Sequence, residues 1–344
     1  MKRWIDRWNA YWFPETSTLY LAITRIVIVG AQLFLLARPL GQHLNLVEKN
    51  REFINPQLLI SAVAAIVPNE VFFTPSGFKA LYWIIMAAGI AALVGVFTRP
   101  ALFIFALGTW ILITHIYSFG DRHHPEAVFA IVLMTLAFAP SGDSLSVDVW
   151  LRRRSRARGA PPQRVDTAMW PLKLAHVLLA MTYFSAGVSK LIFSGPRWLN
   201  GYTLQSHTFA DAINRDMPLG IWLAQQHTLA IVLSVFTILL EIFFLVSLIL
   251  PRTAPFIFVS AFFFQVGLLL TARHVFFEHM VLLVLLLFFI SPEWWRGLGV
   301  KYLNRSSSPI SAERALRAKS RGYRPTAPLH KSLPTTILPV CLFL

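Results

Sequence analysis

Cysteine is almost missing from this chain: 344 residues contain one, Cys341. A single thiol makes no intrachain disulfide and no cysteine cage for a metal. Charge is scarce as well. Asp, Glu, Lys and Arg supply 14% of the residues, against roughly 25% in a soluble domain. Acids are the scarcer sign, 16 against 31 basic residues. So little charge excludes an ordinary solvated surface. The 56% of hydrophobic residues and a mean hydropathy of +0.59 place most of the chain in a bilayer instead. No glycine-rich phosphate loop, H-E-x-x-H or G-x-S-x-G occurs, and no internal repeat is visible. These absences remove the P-loop, zincin and serine-hydrolase readings.

What is present is a series of long apolar runs. Eight reach about the ~20 residues that cross a hydrocarbon core: 17–38, 79–97, 100–118, 125–140, 168–193, 227–250, 254–272 and 275–291. The fourth is short. The stretch 56–73 is apolar but broken by Pro56 and Pro68, and reads as an interfacial helix, with a ninth span as the alternative. The expected architecture is an all-α polytopic membrane bundle of about eight transmembrane helices. Residues 1–295 form the membrane domain. Residues 296–344, with Ser306-Ser307-Ser308 and scattered arginines, form a basic tail without a packed core. Lys2, Arg3 and Arg7 precede a first run that is long and lacks an A-x-A site, so a retained span is expected rather than a cleaved signal.

The net charge of +15 would suit nucleic acid on a soluble protein. Here topology accounts for it. With both termini in the cytoplasm, roughly two thirds of the basic residues fall on the inner side, the densest group being the loop Arg152–Arg164. No nucleic-acid partner is expected, and membrane lipid is.

The same topology brings titratable residues to one depth near the outer side. Lys190 closes the fifth span, His123, His124 and Glu126 open the fourth, and His274, Glu278 and His279 open the eighth. Each alone suits a headgroup anchor; together they suit a shared cavity, since charge in hydrocarbon is costly unless paired or wet. His176, Tyr183 and Lys190 are seven apart and drift by only ~20° per step, giving one stripe on the fifth span. That stripe suits either a polar channel wall or a lysine with two ordinary anchors. Arg25 and Glu241 both lie ~12–14 Å from the inner boundary, counted at 1.5 Å per residue, and are expected to form a structural ion pair. His274-x-x-x-Glu278 is too thin a pattern for a metal site, and no metal is expected.

The run Tyr183 to Leu191, followed by Trp198-Leu199-Asn200-Gly201, resembles the HTTM family, the membrane domain shared with vitamin K-dependent gamma-carboxylases. Arg25 in the first span, His124 opening the fourth, and Ala139-Pro140 before a serine- and aspartate-rich stretch add to the likeness. It covers about residues 10–295. The resemblance implies a helical bundle with its site on the non-cytoplasmic side of a bacterial cell membrane. It implies Lys190 as a base toward a reduced, vitamin K-like quinone and His124 as its helper. Of the polar groups gathered above, His123, Tyr183, His274 and Glu278 are then expected around the cofactor. It points to a carboxylase-like lyase or a quinone-linked oxidoreductase. Two features depart from the carboxylases: a short tail replaces their large extramembrane domain, and Ser189 stands where they carry a second lysine. The competing expectation is a non-enzymatic membrane protein, a transporter or a partner subunit of an envelope complex, that keeps the bundle without the chemistry. The sequence names no protein partner.

Overall fold

The computed structural model describes residues 2–13, 16–37, 44, 47, 60, 62, 74–120, 124–155, 165–166, 169–274 and 276–290. Most of the expected interfacial stretch 56–73 and all of the tail 296–344 lie outside them. Helices α1 (Lys2–Trp12) and α2 (Thr18–Ala37) are followed by α3 (Pro75–Val94), α4 (Thr98–Tyr117) and α5 (His124–Phe138). Next come α6 (Val147–Ser155), α7 (Trp170–Ser194), α8 (Tyr202–Arg215) and α9 (Pro218–Ala224). The series closes with α10 (His227–Phe243), α11 (Val246–Ile249), α12 (Ala254–Ala272) and α13 (Phe277–Ile290). A two-residue antiparallel pairing of β1 (Thr16–Ser17) with β2 (Val165–Asp166) ties the chain before α2 to the chain before α7.

Every expected apolar run is helical. Among the described residues, six helical stretches are long and apolar enough to cross a membrane: Thr18–Ala37, Pro75–Val94, Thr98–Tyr117, Trp170–Asn200, His227–Ile249 and Ala254–Ala272. The expected fourth and eighth spans, α5 and α13, have 15 and 14 residues, only ~21–23 Å of helix. For α13 the cause is local. Arg273 takes the left-handed conformation at φ 54 and ends α12, and α13 begins only at Phe277.

Helix boundaries follow the local chemistry. Thr74 caps α3, its hydroxyl accepting from Gly77 N at 3.3 Å with Pro75 in the first turn, and Gly95 ends that helix at φ 77. The N-terminus of α4 is capped from far away in sequence. Asp148 on α6 accepts from Phe97 N, Thr98 N and the Thr98 hydroxyl at 2.9, 2.8 and 2.7 Å. Burial alone would push the Asp148 carboxyl up; the donors from Thr98 and Phe97 outweigh it and hold the group below the usual carboxylate range. A depressed carboxyl contributes stability that is fully present above its unfolded value, near 3.9, and is lost as pH falls through the lower folded value. D148A is therefore expected to cost about 1–2 kcal/mol at neutral pH. In an acid titration of unfolding, the difference between D148A and wild type should close only below about pH 4.

Packing rests on small residues, as expected where lipid removes the hydrophobic drive between helices. A Cβ on Gly89 of α3 would lie 2.6 Å from Phe105 of α4, and Gly108 of α4 meets Ile85 of α3 in the same way. Phe105, Phe129, Leu133, Phe244 and Phe258 are fully or almost fully buried between the helices. On the other side of the bundle, Gly187 of α7 lies against Glu241 and Ile242 of α10, where an added Cβ would sit 3.0 Å from each side chain.

The expected Arg25–Glu241 ion pair does not form. Arg25 is fully buried and turns to the corner between α5 and α6, donating to Ser141 O at 3.0 Å and to Leu145 O at 2.5 Å. Glu241 pairs with Lys190 instead. The reason lies in counting depth from helix ends. Helix α7 has 25 residues, about 37 Å, so it overruns a single bilayer ruler. Glu241 lies level with Gly187, seventeen residues or ~26 Å along α7, rather than level with Arg25.

Candidate functional site

The close approach at Gly187 sets up the site. One turn further along α7, Lys190 reaches across to α10, and its ammonium donates to both oxygens of Glu241, at 2.6 and 2.7 Å. The side chains are 22% and 6% exposed. A charge this far from water is tolerable when its partner is this close. The same ammonium lies 5.4 Å from the ring centre of Trp198, in the 3₁₀ turn Gly195–Asn200 that follows α7. Trp198 thus adds a cation–π contact to the ammonium.

Lys190 and Glu241 open onto a cavity of about 360 Å³, within the size range of small-molecule sites. Tyr183, Trp198, Phe264 and Phe276 give it aromatic walls, while His207, Asp211, Gln265, His274 and His279 supply polar groups. Tyr183 is held on two sides. Its ring stacks on Phe244 with centres 4.5 Å apart, and its hydroxyl accepts from Gln265 Nε2 at 2.7 Å. Gln265 Oε1 is buried and has no hydrogen-bond partner among the described residues. His274 and Asp211 meet at 2.9 Å, Nε2 to Oδ2, on the α8 side of the cavity.

Helix α8 lines that side, with α9 packed against it. Gln205 ties the two together, donating to Ala224 O at 2.7 Å while its amide oxygen meets His227 Nδ1 at 2.8 Å. Arg215, at the end of α8, donates to Ala272 O and Arg273 O, at 3.3 and 2.9 Å, and so satisfies the C-terminus of α12.

Of the residues singled out from sequence, Lys190, Tyr183 and His274 line one cavity. His123 lies outside the described residues. His124 opens α5 as expected, and only its backbone is described. Glu278 does not line the cavity; the break at Arg273 and the register of α13 bring His279 there instead. His274 follows the end of α12 and precedes the start of α13, so His274 and Glu278 do not share a helix. Among the described residues, no three His, Cys, Asp or Glu side chains gather as a metal site. The seven-residue stripe faces α10–α12, yet it is not a continuous polar wall. His176 bonds Ser247 Oγ at 2.7 Å, packs edge-on against Phe258, and lies outside the cavity.

Sequence reasoning missed Glu241 as the partner of Lys190, and missed Gln265, Asp211 and Trp198 as site residues. The signal for Glu241 was present: it is the one acid inside the apolar run 227–250.

Apolar helices packed around a largely buried ion pair and a partly open, aromatic-walled cavity define a multi-pass membrane protein with a ligand-sized site. A family model for the HTTM domain matches residues 14–294. The chain belongs to the HTTM family. No curated protein and no solved structure matches it.

Proposed function

We propose that this HTTM protein is a membrane enzyme that binds a ring-headed, lipid-soluble cofactor of the reduced-quinone kind in the Lys190 cavity and uses Lys190 as a base toward it. The observation that carries this reading is the Lys190–Glu241 pair opening onto aromatic walls. The residues fit such a group. Tyr183, Trp198, Phe264 and Phe276 suit a flat ring, and the partnerless Gln265 Oε1 is a buried acceptor beside them. A hydroquinone, when bound, supplies acidic O–H groups and a pair of electrons.

The chain's part is proton handling. Lys190 Nζ and Glu241 Oε1 are 2.6 Å apart. Transfer of a proton across that gap breaks one N–H bond, forms one O–H bond, and leaves a neutral amine facing the cavity. That amine then accepts a proton from an acid held against it. Water favours the charged pair, so filling the cavity with an apolar ring favours the neutral one. The His274–Asp211 pair, on the same cavity, offers a route by which the proton leaves. The charge asymmetry of the loops supports a site on the non-cytoplasmic side of a cell membrane.

One observation favours a second reading. A bidentate pair closed on itself also suits a bridge that pins α7 to α10, with no chemistry at all. Extraction with organic solvent distinguishes the two. Protein purified in mild detergent from its own membranes should release close to one quinone per chain, and K190M protein much less. A wild-type extract free of quinone would favour the pinning role.

A further inference from the structure

We propose that the end of the bundle opposite the cavity carries a basic and aromatic collar that binds anionic phospholipid headgroups. Two helices build it, and they are far apart in sequence. In α1, Trp4 and Trp8 lie one turn apart on one face, 75% and 58% exposed, with Arg3 exposed beside them. In α6, Trp150 and Leu151 are 56% and 51% exposed, and the Arg154 guanidinium lies 5.4 Å from the Trp150 ring centre.

The fold brings both helices to the same end. Pairing of Thr16 with Asp166 joins the α1–α2 link to the α6–α7 link. Thr18 at the start of α2 bonds Ser144 just before α6, at 2.7 Å. Lys173, in the first turn of α7, lies 4.6 Å from the ring centre of Tyr11 and fixes α1 beside the start of that span. Lys190 is seventeen residues beyond Lys173 along α7, ~26 Å away.

Exposed tryptophan on a helix joined to a membrane span within a few residues has one natural neighbour, the headgroup region, where an amphipathic ring keeps its body in the acyl boundary. The accompanying charge decides which headgroups. The sequence of α1 is KRWIDRWNAYW, and α6 ends LRRRS. Three basic residues against one acid in the first, and three arginines against Asp148 in the second, with Arg152 meeting Asp143 at 3.3 Å, leave a net positive charge that complements an anionic surface. On the topology read from the loops this end faces the cytoplasm, the leaflet where such lipids attract basic segments.

The test uses the full chain. Native mass spectrometry of detergent-solubilised protein, incubated with equal amounts of dioleoylphosphatidylglycerol and dioleoylphosphatidylcholine, should show preferential retention of phosphatidylglycerol. R3Q and R154Q should each weaken that retention about fivefold, with the helical circular dichroism unchanged. Equal retention of the two lipids, or undiminished retention in R3Q/R154Q, would overturn the proposal. Helix placement is read separately in phosphatidylglycerol-containing bilayers, by nitroxides at W4C, W8C and D6C in a C341S background. Labels at 4 and 8 should collide mainly with oxygen, and the label at 6 mainly with a water-soluble nickel chelate. Labels at 4 and 8 as open to the chelate as that at 6 would place α1 in water and end the account. Neither result depends on what occupies the cavity.

Discussion

Replacing Lys190 with methionine lowers the stability of the detergent-solubilised protein by about 3 kcal/mol, and adding Glu241→Leu returns most of that loss. The first step strands a carboxylate that is 6% exposed, between helices held close by Gly187. Breaking one side of a buried pair costs more than the pair contributes, because the remaining group keeps its desolvation penalty without the compensating partner. Some exposure of Lys190 lets water reach the stranded group and keeps the cost toward the lower end of that range. The double variant removes both charges and puts apolar atoms in their place, which is nearly neutral for a buried pair. A double-mutant cycle on SDS-driven unfolding should give a coupling energy of about 2–3 kcal/mol between the two positions. Additive losses would mean that the pair is not coupled in the folded protein.

Replacing Arg25 with methionine produces a loss of similar size through different chemistry. Arg25 is fully buried and donates to the carbonyls of Ser141 and Leu145. Methionine keeps the length of the side chain and strands both acceptors at the corner where α5 turns into α6. Each hydrogen bond from a charged donor is worth ~1.5–3 kcal/mol, so R25M should cost about 3–4 kcal/mol. R25K should recover only part of it, since an ammonium lacks the fork that reaches two carbonyls at once. Gly95 backs the guanidinium, with an added Cβ there lying 3.1 Å from Arg25 Nη1, so the site has little room to repack. E241L should not alter the cost of R25M. Non-additivity between those two positions would revive the Arg25–Glu241 ion pair that the structure replaces.

The architecture was legible because membrane spans announce themselves by length and apolarity, and each expected run is a helix. The site was legible in part. Lys190 and His274 could be assigned to one depth because each lies at a defined distance from the end of an apolar run, and Tyr183 to the same helix face as Lys190 by its seven-residue spacing. Glu241 could not be placed by that ruler: α7 is longer than one bilayer crossing, and depth counted from its start does not transfer to α10. Glu278 was chosen over His279 because helical register was extended back to His274, and nothing local in the sequence says that Arg273 will adopt a left-handed backbone. The amphipathic helices α1, α6, α8 and α9 escaped notice for a related reason. They are short and mixed in character, so no long apolar run marks them. Asp148 capping α4, and Gln265 holding Tyr183, belong to the same class of long-range pairing that a single sequence does not display.

In the proposed function the Lys190 cavity takes a reduced quinone-like ring. Fluorescence titration of the purified protein with menadiol under anaerobic conditions tests it most directly, because Trp198 lines the cavity. Saturable quenching in wild type, weakened at least tenfold in K190M/E241L while that variant keeps its stability, is the expected result. Equal binding by the two proteins, or no saturable binding by wild type, would contradict it.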